Sequence, residues 1–250
     1  MSADKQLILV TGATSGIGYD TCYALAAAST NNHVILGARN VSKGEDVLAQ
    51  LQARKPQTTF SVIELDVTKD ESIDAAVKKI EEDFGRLDVL VNNAGVMIDP
   101  PTRAVLHTTF ETNVFGPSLL TSALIPLLKA SSSPKVVNVS SDLGSIGRKL
   151  DSTAYNQKIP REAYRMSKAA LNMLTAIQTV EFAEFGGKVW SYCPGYVVTN
   201  LTGEEGRKER IQRGAESSET SANGIVEIVE GKRDDEVGKF ITRYGKQYPW

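Results

Sequence analysis

Short apolar runs alternate with longer amphipathic stretches along the whole chain. The runs at 7–10, 33–36, 60–65, 88–91, 135–139, 188–193 and 239–241 predict strands. Most are continuous rather than alternating in polarity, the pattern of strands buried on both faces of a parallel sheet. Between them, 17–28, 42–54, 73–84, 103–129 and 161–185 predict helices, the fourth broken near Gly116-Pro117, and a helix at 221–230 precedes the last strand. This alternation predicts an α/β fold: a doubly wound, Rossmann-type parallel sheet of about seven strands flanked by helices on both faces. No linker, repeat or low-complexity block divides the chain, so 1–250 reads as a single domain.

Two stretches break the rhythm. Residues 145–160 are polar and long for a strand-to-helix connection, and 200–218 are charged and punctuated by glycine. The second reads as a mobile surface segment. Lying beside the carboxyl end of a strand, where open α/β sheets bind ligands, it is expected to act as a lid over the substrate.

Composition narrows the classes. With 41% apolar and 23% charged residues the chain can bury a core and stay soluble, which excludes a disordered chain. Lys plus Arg number 28 against 30 Asp plus Glu, a net charge of −2. That balance offers no footprint for nucleic acid and no polybasic anchor for a membrane. Cys22 and Cys193 stand far apart without a neighbouring histidine pattern, so they read as core thiols, and no metal site is expected. The apolar run after Lys5 is too short for a signal-peptide core, and no stretch is long enough for a membrane span; a cytoplasmic protein is expected.

The first strand runs into Thr11-Gly12-Ala13-Thr14-Ser15-Gly16-Ile17-Gly18 and a helix opens at once. Glycines here let the chain turn sharply and let backbone amides approach a pyrophosphate at the positive end of the helix. The spacing is Gly-x-x-x-Gly-x-Gly rather than Gly-x-Gly-x-x-Gly; its position after the first strand makes it a dinucleotide signal. At the end of the second strand, where an NAD site presents an acidic residue to the ribose, stands Arg39. Its guanidinium suits a 2′-phosphate, so NADPH/NADP+ is the expected cofactor; the plainer reading is an exposed arginine opening a loop. Asp66-Val67 after the third strand and Asn93-Ala94-Gly95 after the fourth also lie at carboxyl ends of strands. There Asp66 would accept from the adenine amino group, Asn93 would fix the turn, and Gly95 would leave room for the nucleotide; each taken singly is also ordinary turn chemistry.

Ser141, Tyr164 and Lys168 are the candidates for chemistry. Tyr164 and Lys168 are four apart and share a helical face. A phenol with a pKa of about 10 is a poor acid at neutral pH, and a nearby ammonium would lower that pKa. Ser141 follows a buried strand, where its hydroxyl would donate to a substrate carbonyl beside Tyr164. Tyr-x-x-x-Lys alone is common in helices; the glycine loop is what gives it weight.

With these motifs in order, the chain resembles a short-chain dehydrogenase/reductase of the compact single-domain type. Thr11 to Gly18, Asn92 to Gly95, Asn113, Ser141, Tyr164, Lys168 and Pro194-Gly195 through Thr199 all fall in that family's order, and the match covers essentially the whole chain. The resemblance implies that Ser141 polarises a carbonyl, Tyr164 gives or takes the proton, and Lys168 lowers the phenol pKa and binds the nicotinamide ribose. It implies that Asn113 supports a water relaying protons to Lys168, and that Thr199 and the backbone at Val197 lie near the carboxamide. The family's Ser-x-x-Gly step selects Ser141, before Asp142-Leu143-Gly144, over Ser140; Tyr155 lacks a lysine four residues on and yields to Tyr164. The residues around Tyr164 and Cys193-Pro194-Gly195 look most like the carbonyl-reductase branch, in which an insertion before the tyrosine borders the substrate pocket. That insertion would also obstruct the helix packing through which relatives associate, so both a homo-oligomer and a monomer stay open.

The expectation is an NADPH-dependent oxidoreductase that reduces a ketone or aldehyde of a small, mostly apolar metabolite, or runs the reverse. A non-catalytic NADPH-binding sensor or scaffold, and an isomerase or cyclase built on the same site, are the alternatives. No Gly-x-Ser-x-Gly elbow exists and neither His33 nor His107 is placed as a base, which disfavours a serine hydrolase. The pocket is expected to be walled by Val96, Met97, Ile98, Leu143, Ile146, Tyr155, Tyr196 and 200–218, with Asp99 and Arg148 tuning access.

Overall fold

In the computed structural model, which describes residues 5–250, all seven predicted strands form one parallel sheet. In chain order the elements are β1 (Gln6–Thr11), α1 (Gly16–Ala28), β2 (Asn32–Ala38), α2 (Val41–Ala53), β3 (Thr59–Glu64), α3 (Asp70–Phe84), β4 (Val89–Asn92) and α4 (Arg103–Phe110). After a widened helical turn at Glu111–Phe115 follow α5 (Gly116–Lys129), β5 (Lys135–Val139), α6 (Ile146–Leu150), α7 (Glu162–Ala183), β6 (Lys188–Cys193), α8 (Gly203–Gln212), α9 (Ser218–Val229) and β7 (Phe240–Thr242). The strand order is β3-β2-β1-β4-β5-β6-β7. The order reverses between β1 and β4, so a crevice opens at their carboxyl ends.

Alternation within each strand feeds two cores. From β1, Ile8 and Val10 pack with Cys22 and Leu25 of α1 and with Ile225 and Ile228 of α9. Leu7 and Leu9 point the other way, against Ile80 of α3 and Leu120 and Leu124 of α5. A sheet apolar on both faces must be covered on both, which is why its strands read as unbroken apolar runs.

A polar ladder crosses the second core. Asn92 Nδ2 on β4 donates to Asn138 Oδ1 on β5 at 2.9 Å, and Asn138 Nδ2 donates in turn to Gln178 Oε1 at 2.8 Å and Thr175 Oγ1 at 3.0 Å on α7. One turn earlier, Asn172 Oδ1 accepts from Ser140 Oγ at 2.6 Å and from Ser191 Oγ at 2.8 Å. Each of these residues is buried, so the bonds are made where water cannot replace them.

Three expectations change. The break near Gly116-Pro117 is not a break: the helix widens over Glu111–Phe115, where Gly116 N–H bonds the Glu111 carbonyl five residues back, and continues as α5. Pro117 has no N–H with which to bond the Asn113 carbonyl in an α-helix, and one extra residue is accommodated there. The 145–160 connection carries α6, and the 200–218 segment carries α8. No residue of α8 is buried, so it shows no apolar stripe; Glu204–Lys208 at 3.5 Å and Glu209–Arg213 at 2.7 Å lace its surface instead.

Candidate active site

A cleft of about 1110 Å³ runs along the carboxyl ends of the strands. Its floor is built from the turns after β1 and β4, which are tied together by Asn93. The Asn93 side chain donates to Thr11 O at 2.9 Å and Gly12 O at 3.3 Å, while Thr11 Oγ1 accepts from the backbone N–H groups of Asn93 and Ala94, both at 2.9 Å. Gly12 turns at φ +63°, open to glycine at little cost. Gly18 does a different job from the one expected. It does not face the cleft; a Cβ there would collide with the Gly12 carbonyl and with Asn93 Nδ2, so its bareness lets α1 press onto the turn.

The amino end of α1 faces the cleft through Ser15, Gly16 and Ile17. Ser15 makes no side-chain cap bond and the first turn holds no acidic residue, whereas Asn40 caps α2 by accepting from the Lys43 N–H. The α1 amides are therefore left for an anion, as a pyrophosphate would require. Farther along, Arg39, Asp66 and Val67 line the same wall. Burial alone would raise the Asp66 pKa, but bonds from the Thr68 hydroxyl and N–H, with help from Arg39, outweigh it and hold the carboxyl below its usual value. Ala94, Gly95, Pro194, Gly195, Val197 and Thr199 close the opposite side. Sequence reading missed Thr14 and Lys43, which also line the cleft; Lys43 lies in the first turn of α2, a signal available once that helix is placed after Arg39.

Ser141, Tyr164 and Lys168 meet on the cleft wall between these two ends. Ser141 leaves β5 in extended conformation; its hydroxyl accepts from Leu143 N at 3.2 Å and lies 3.4 Å from Asp142 Oδ1. Gly144 then passes so close to α7 that a Cβ would stand 2.6 Å from the carbonyl carbon of Lys168. The Ser-x-x-Gly step thus brings the serine against the helix that carries Tyr164, and the Ser141 hydroxyl is near enough to favour the ionised phenol. Burial is the largest influence on both titratable partners. It drives the Tyr164 phenol well above its ordinary pKa, against the pull of the nearby Ser141 hydroxyl, and lowers the Lys168 ammonium to about 8.

The geometry shows what surrounds Lys168 and Asn113. Lys168 Nζ donates to Val139 O at 2.8 Å and lies 5.6 Å from the centre of the Tyr164 ring, and the phenol pKa is raised rather than lowered. Asn113 is fully buried and off the cleft; its side chain accepts from Val96 N at 2.8 Å and donates to Val96 O at 2.9 Å and Ser167 Oγ at 3.0 Å. Its side chain clamps the β4 loop to α7, while its backbone carbonyl is the one that Pro117 has no N–H to bond. Of the expected pocket walls, Val96, Met97, Leu143, Tyr155, Tyr196 and part of 200–218 line the cleft, but Ile98, Asp99, Ile146 and Arg148 do not. Asp99 pairs with Arg161, and Arg148 lies over the rings of Tyr155 and Tyr248.

A parallel sheet in this order, with a glycine turn at its switch point and a Ser, Tyr and Lys on one wall, defines a nucleotide-dependent oxidoreductase scaffold. The chain belongs to the short chain dehydrogenase family, whose model matches residues 6–210. It is 33% identical to the short-chain dehydrogenase/reductase tropE of Talaromyces stipitatus, over 99% of each chain. Among solved structures it is similar to the NADPH-bound carbonyl reductase from chicken fatty liver (28% identity, TM-score 0.81, 98% of this chain and 99% of that one). It is also similar to the carbonyl reductase Sniffer of Drosophila melanogaster (26% identity, TM-score 0.82, 98% and 100%). Among the described residues no helix is long and apolar enough to cross a membrane.

Proposed function

We propose that the protein is an NADPH-dependent reductase of a mostly apolar ketone or aldehyde, or the corresponding alcohol dehydrogenase, working in the cytoplasm. The observation that carries the cofactor choice is the pairing of Arg39 with Lys43 on the wall beyond Asp66, two cations where a ribose 2′-phosphate would lie. The uncapped amides of α1 would hold the pyrophosphate, and Asp66 would accept from the adenine amino group. The NADPH-bound chicken carbonyl reductase supports the same reading. Two free, buried cysteines fit a reducing compartment.

When bound, NADPH supplies the hydride. Ser141 would donate to the substrate oxygen, and Tyr164 would deliver the proton to it as negative charge develops there. Burial keeps the phenol protonated, so the proton is present to be given, but it also makes the phenol a weaker acid until a nearby cation draws its pKa down. Lys168 would set the positive field of the site from beneath; bringing an anionic cofactor alongside would favour its charged form and draw the phenol pKa back down. Val96, Leu143 and Tyr155 leave the substrate end mostly apolar.

The test is oxidation of NADPH and NADH against a panel of apolar ketones and aldehydes, with Tyr164→Phe alongside. NADPH should be the better cofactor, and the variant should bind it normally while losing at least about a hundredfold in kcat. Preference for NADH, or a variant with near-normal turnover, would refute the reading.

A further inference from the structure

The charges that line the cleft are unevenly satisfied. Arg39, Lys43 and Asp66 gather at the adenosine end, and Lys168 is bonded to Val139 O beneath the floor. At the other end, Glu209 is paired with Arg213 at 2.7 Å and Arg161 is paired with Asp99. That leaves Arg210, which among the described residues has no carboxylate within ion-pair distance.

Arg210 is not a loose surface arginine. It is half-buried, its guanidinium carbon lies 5.2 Å from the centre of the Tyr196 ring, and Nη1 donates to Val197 O at 3.3 Å. Its own carbonyl accepts from Ala215 N at 2.9 Å, and Val198 N bonds Glu216 O at 2.9 Å, so both sides of α8 are tied to the strand end that carries Tyr196 and Val197. One long bond uses one of five donors, and the Tyr196 ring and the Val197 carbonyl hold the guanidinium at the cleft wall with donors to spare. Its charge also reaches the phenol of Tyr164, the residue that would touch the substrate oxygen. An unpaired guanidinium on the cleft wall, among charges that are otherwise paired at that end, is placed to receive an oxyanion.

We propose that Arg210 anchors an anionic group on the substrate, so that the site takes aromatic or apolar ketones and aldehydes that also carry a carboxylate or an ionised phenol. The proposal rests on the reductase reading above and adds to it the second functional group of the substrate. The anion would bind in the plane of the guanidinium while the carbonyl faces Ser141 and Tyr164. The reduction then balances as before: hydride to carbonyl carbon, proton to oxygen, with the distant anion unchanged.

The test compares 4-oxo-4-phenylbutanoate and 2-formylbenzoate with their methyl esters, in the wild type and in Arg210→Gln and Arg210→Lys. The wild type should favour each acid over its ester at least about tenfold in kcat/KM, mostly through KM. Arg210→Gln should erase the preference, Arg210→Lys should keep part of it, and in Arg210→Gln the acids should lose at least about tenfold more kcat/KM than the esters, with the KM for NADPH unchanged. A binding arm needs no turnover: calorimetric titration of the NADP+-loaded protein with 4-oxo-4-phenylbutanoate should weaken at least about tenfold in Arg210→Gln. Acids no better than esters in both arms, or an Arg210→Gln variant that loses NADPH affinity and all substrates alike, overturns the proposal. Esters reduced without acid preference would leave the reductase reading standing; failure of that reading shows instead as no NADPH consumption with any compound.

Discussion

Tyr155, two-thirds exposed at the mouth of the cleft, donates its phenolic hydrogen to the carboxylate of Asp142, the residue that follows the catalytic-site serine. The same carboxylate accepts from Asn156 Nδ2 at 2.8 Å, and Asp142 N bonds Cys193 Sγ at 3.2 Å. Burial and the adjacent carboxylate both push the Tyr155 phenol up, so it stays a donor across the working range of pH. A buried acid thus joins the 145–160 insertion to the strand end from which Ser141 hangs.

Removing the acid should therefore cost both stability and alignment. Asp142→Ala leaves the Asn156 amide without its partner and is expected to lower the unfolding free energy by about 2 kcal/mol, read by urea denaturation. Tyr155→Phe removes one donor to that carboxylate and leaves the Asn156 bond in place, and should cost less, about 1 kcal/mol. Equal losses would mean that the exposed phenol, rather than the buried acid, holds the insertion.

Cofactor discrimination should reside in two cations. Arg39→Ala and Lys43→Ala are each expected to raise the KM for NADPH about tenfold and to leave that for NADH nearly unchanged, since a charge-assisted bond is worth about 1.5–3 kcal/mol. Steady-state kinetics with both nucleotides checks this; parallel losses for NADPH and NADH would point to a folding defect instead.

Gly18→Ala is expected to destabilise by more than about 2 kcal/mol, because the added methyl meets backbone rather than a flexible side chain. Thermal unfolding measures it. A fully stable Gly18→Ala protein would show that α1 can retreat from the turn.

Lys168 supplies a pH signature. Its folded pKa of about 8 lies below the 10.5 of a solvated lysine, so below pH 8 the native state carries a buried charge at a cost. Between those values the unfolded chain holds a proton that the folded one has released, and stability from this group rises with pH. Lys168→Met should accordingly be more stable than the wild type at pH 7, by on the order of 2 kcal/mol after the lost bond to Val139 O is counted. The gap should close as pH climbs toward 10.5. Denaturant titrations at pH 7, 8.5 and 10 measure it, and a gap that widens with pH would reverse the assignment.

Strands and their parallel order were legible because a sheet covered on both faces writes itself as unbroken apolar runs, as in Val89–Asn92 and Lys135–Val139. The same logic hid α8, which buries nothing and is held by neighbouring charges on its own surface. With that helix unseen, Arg210 had no place near the chemistry, and no spacing in the sequence puts it there. Ser141, Tyr164 and Lys168 were legible because one helical face and one strand end bring them together. Asn113 was located, but its three side-chain bonds to Val96 and Ser167 were not legible, because only the fold brings those residues to it.

The amides and hydroxyls that fasten α7 to β4, β5 and β6 have a consequence for how this protein can change. Hydrocarbon surfaces slide past one another with little penalty, but an amide pair accepts one alignment, so the shaft bearing Tyr164 and Lys168 has its rotation locked from behind. The walls opposite, including the laced and unburied α8, share none of those fasteners. Single substitutions can reshape the cleft there while the setting of Tyr164 and Lys168 stays as it was.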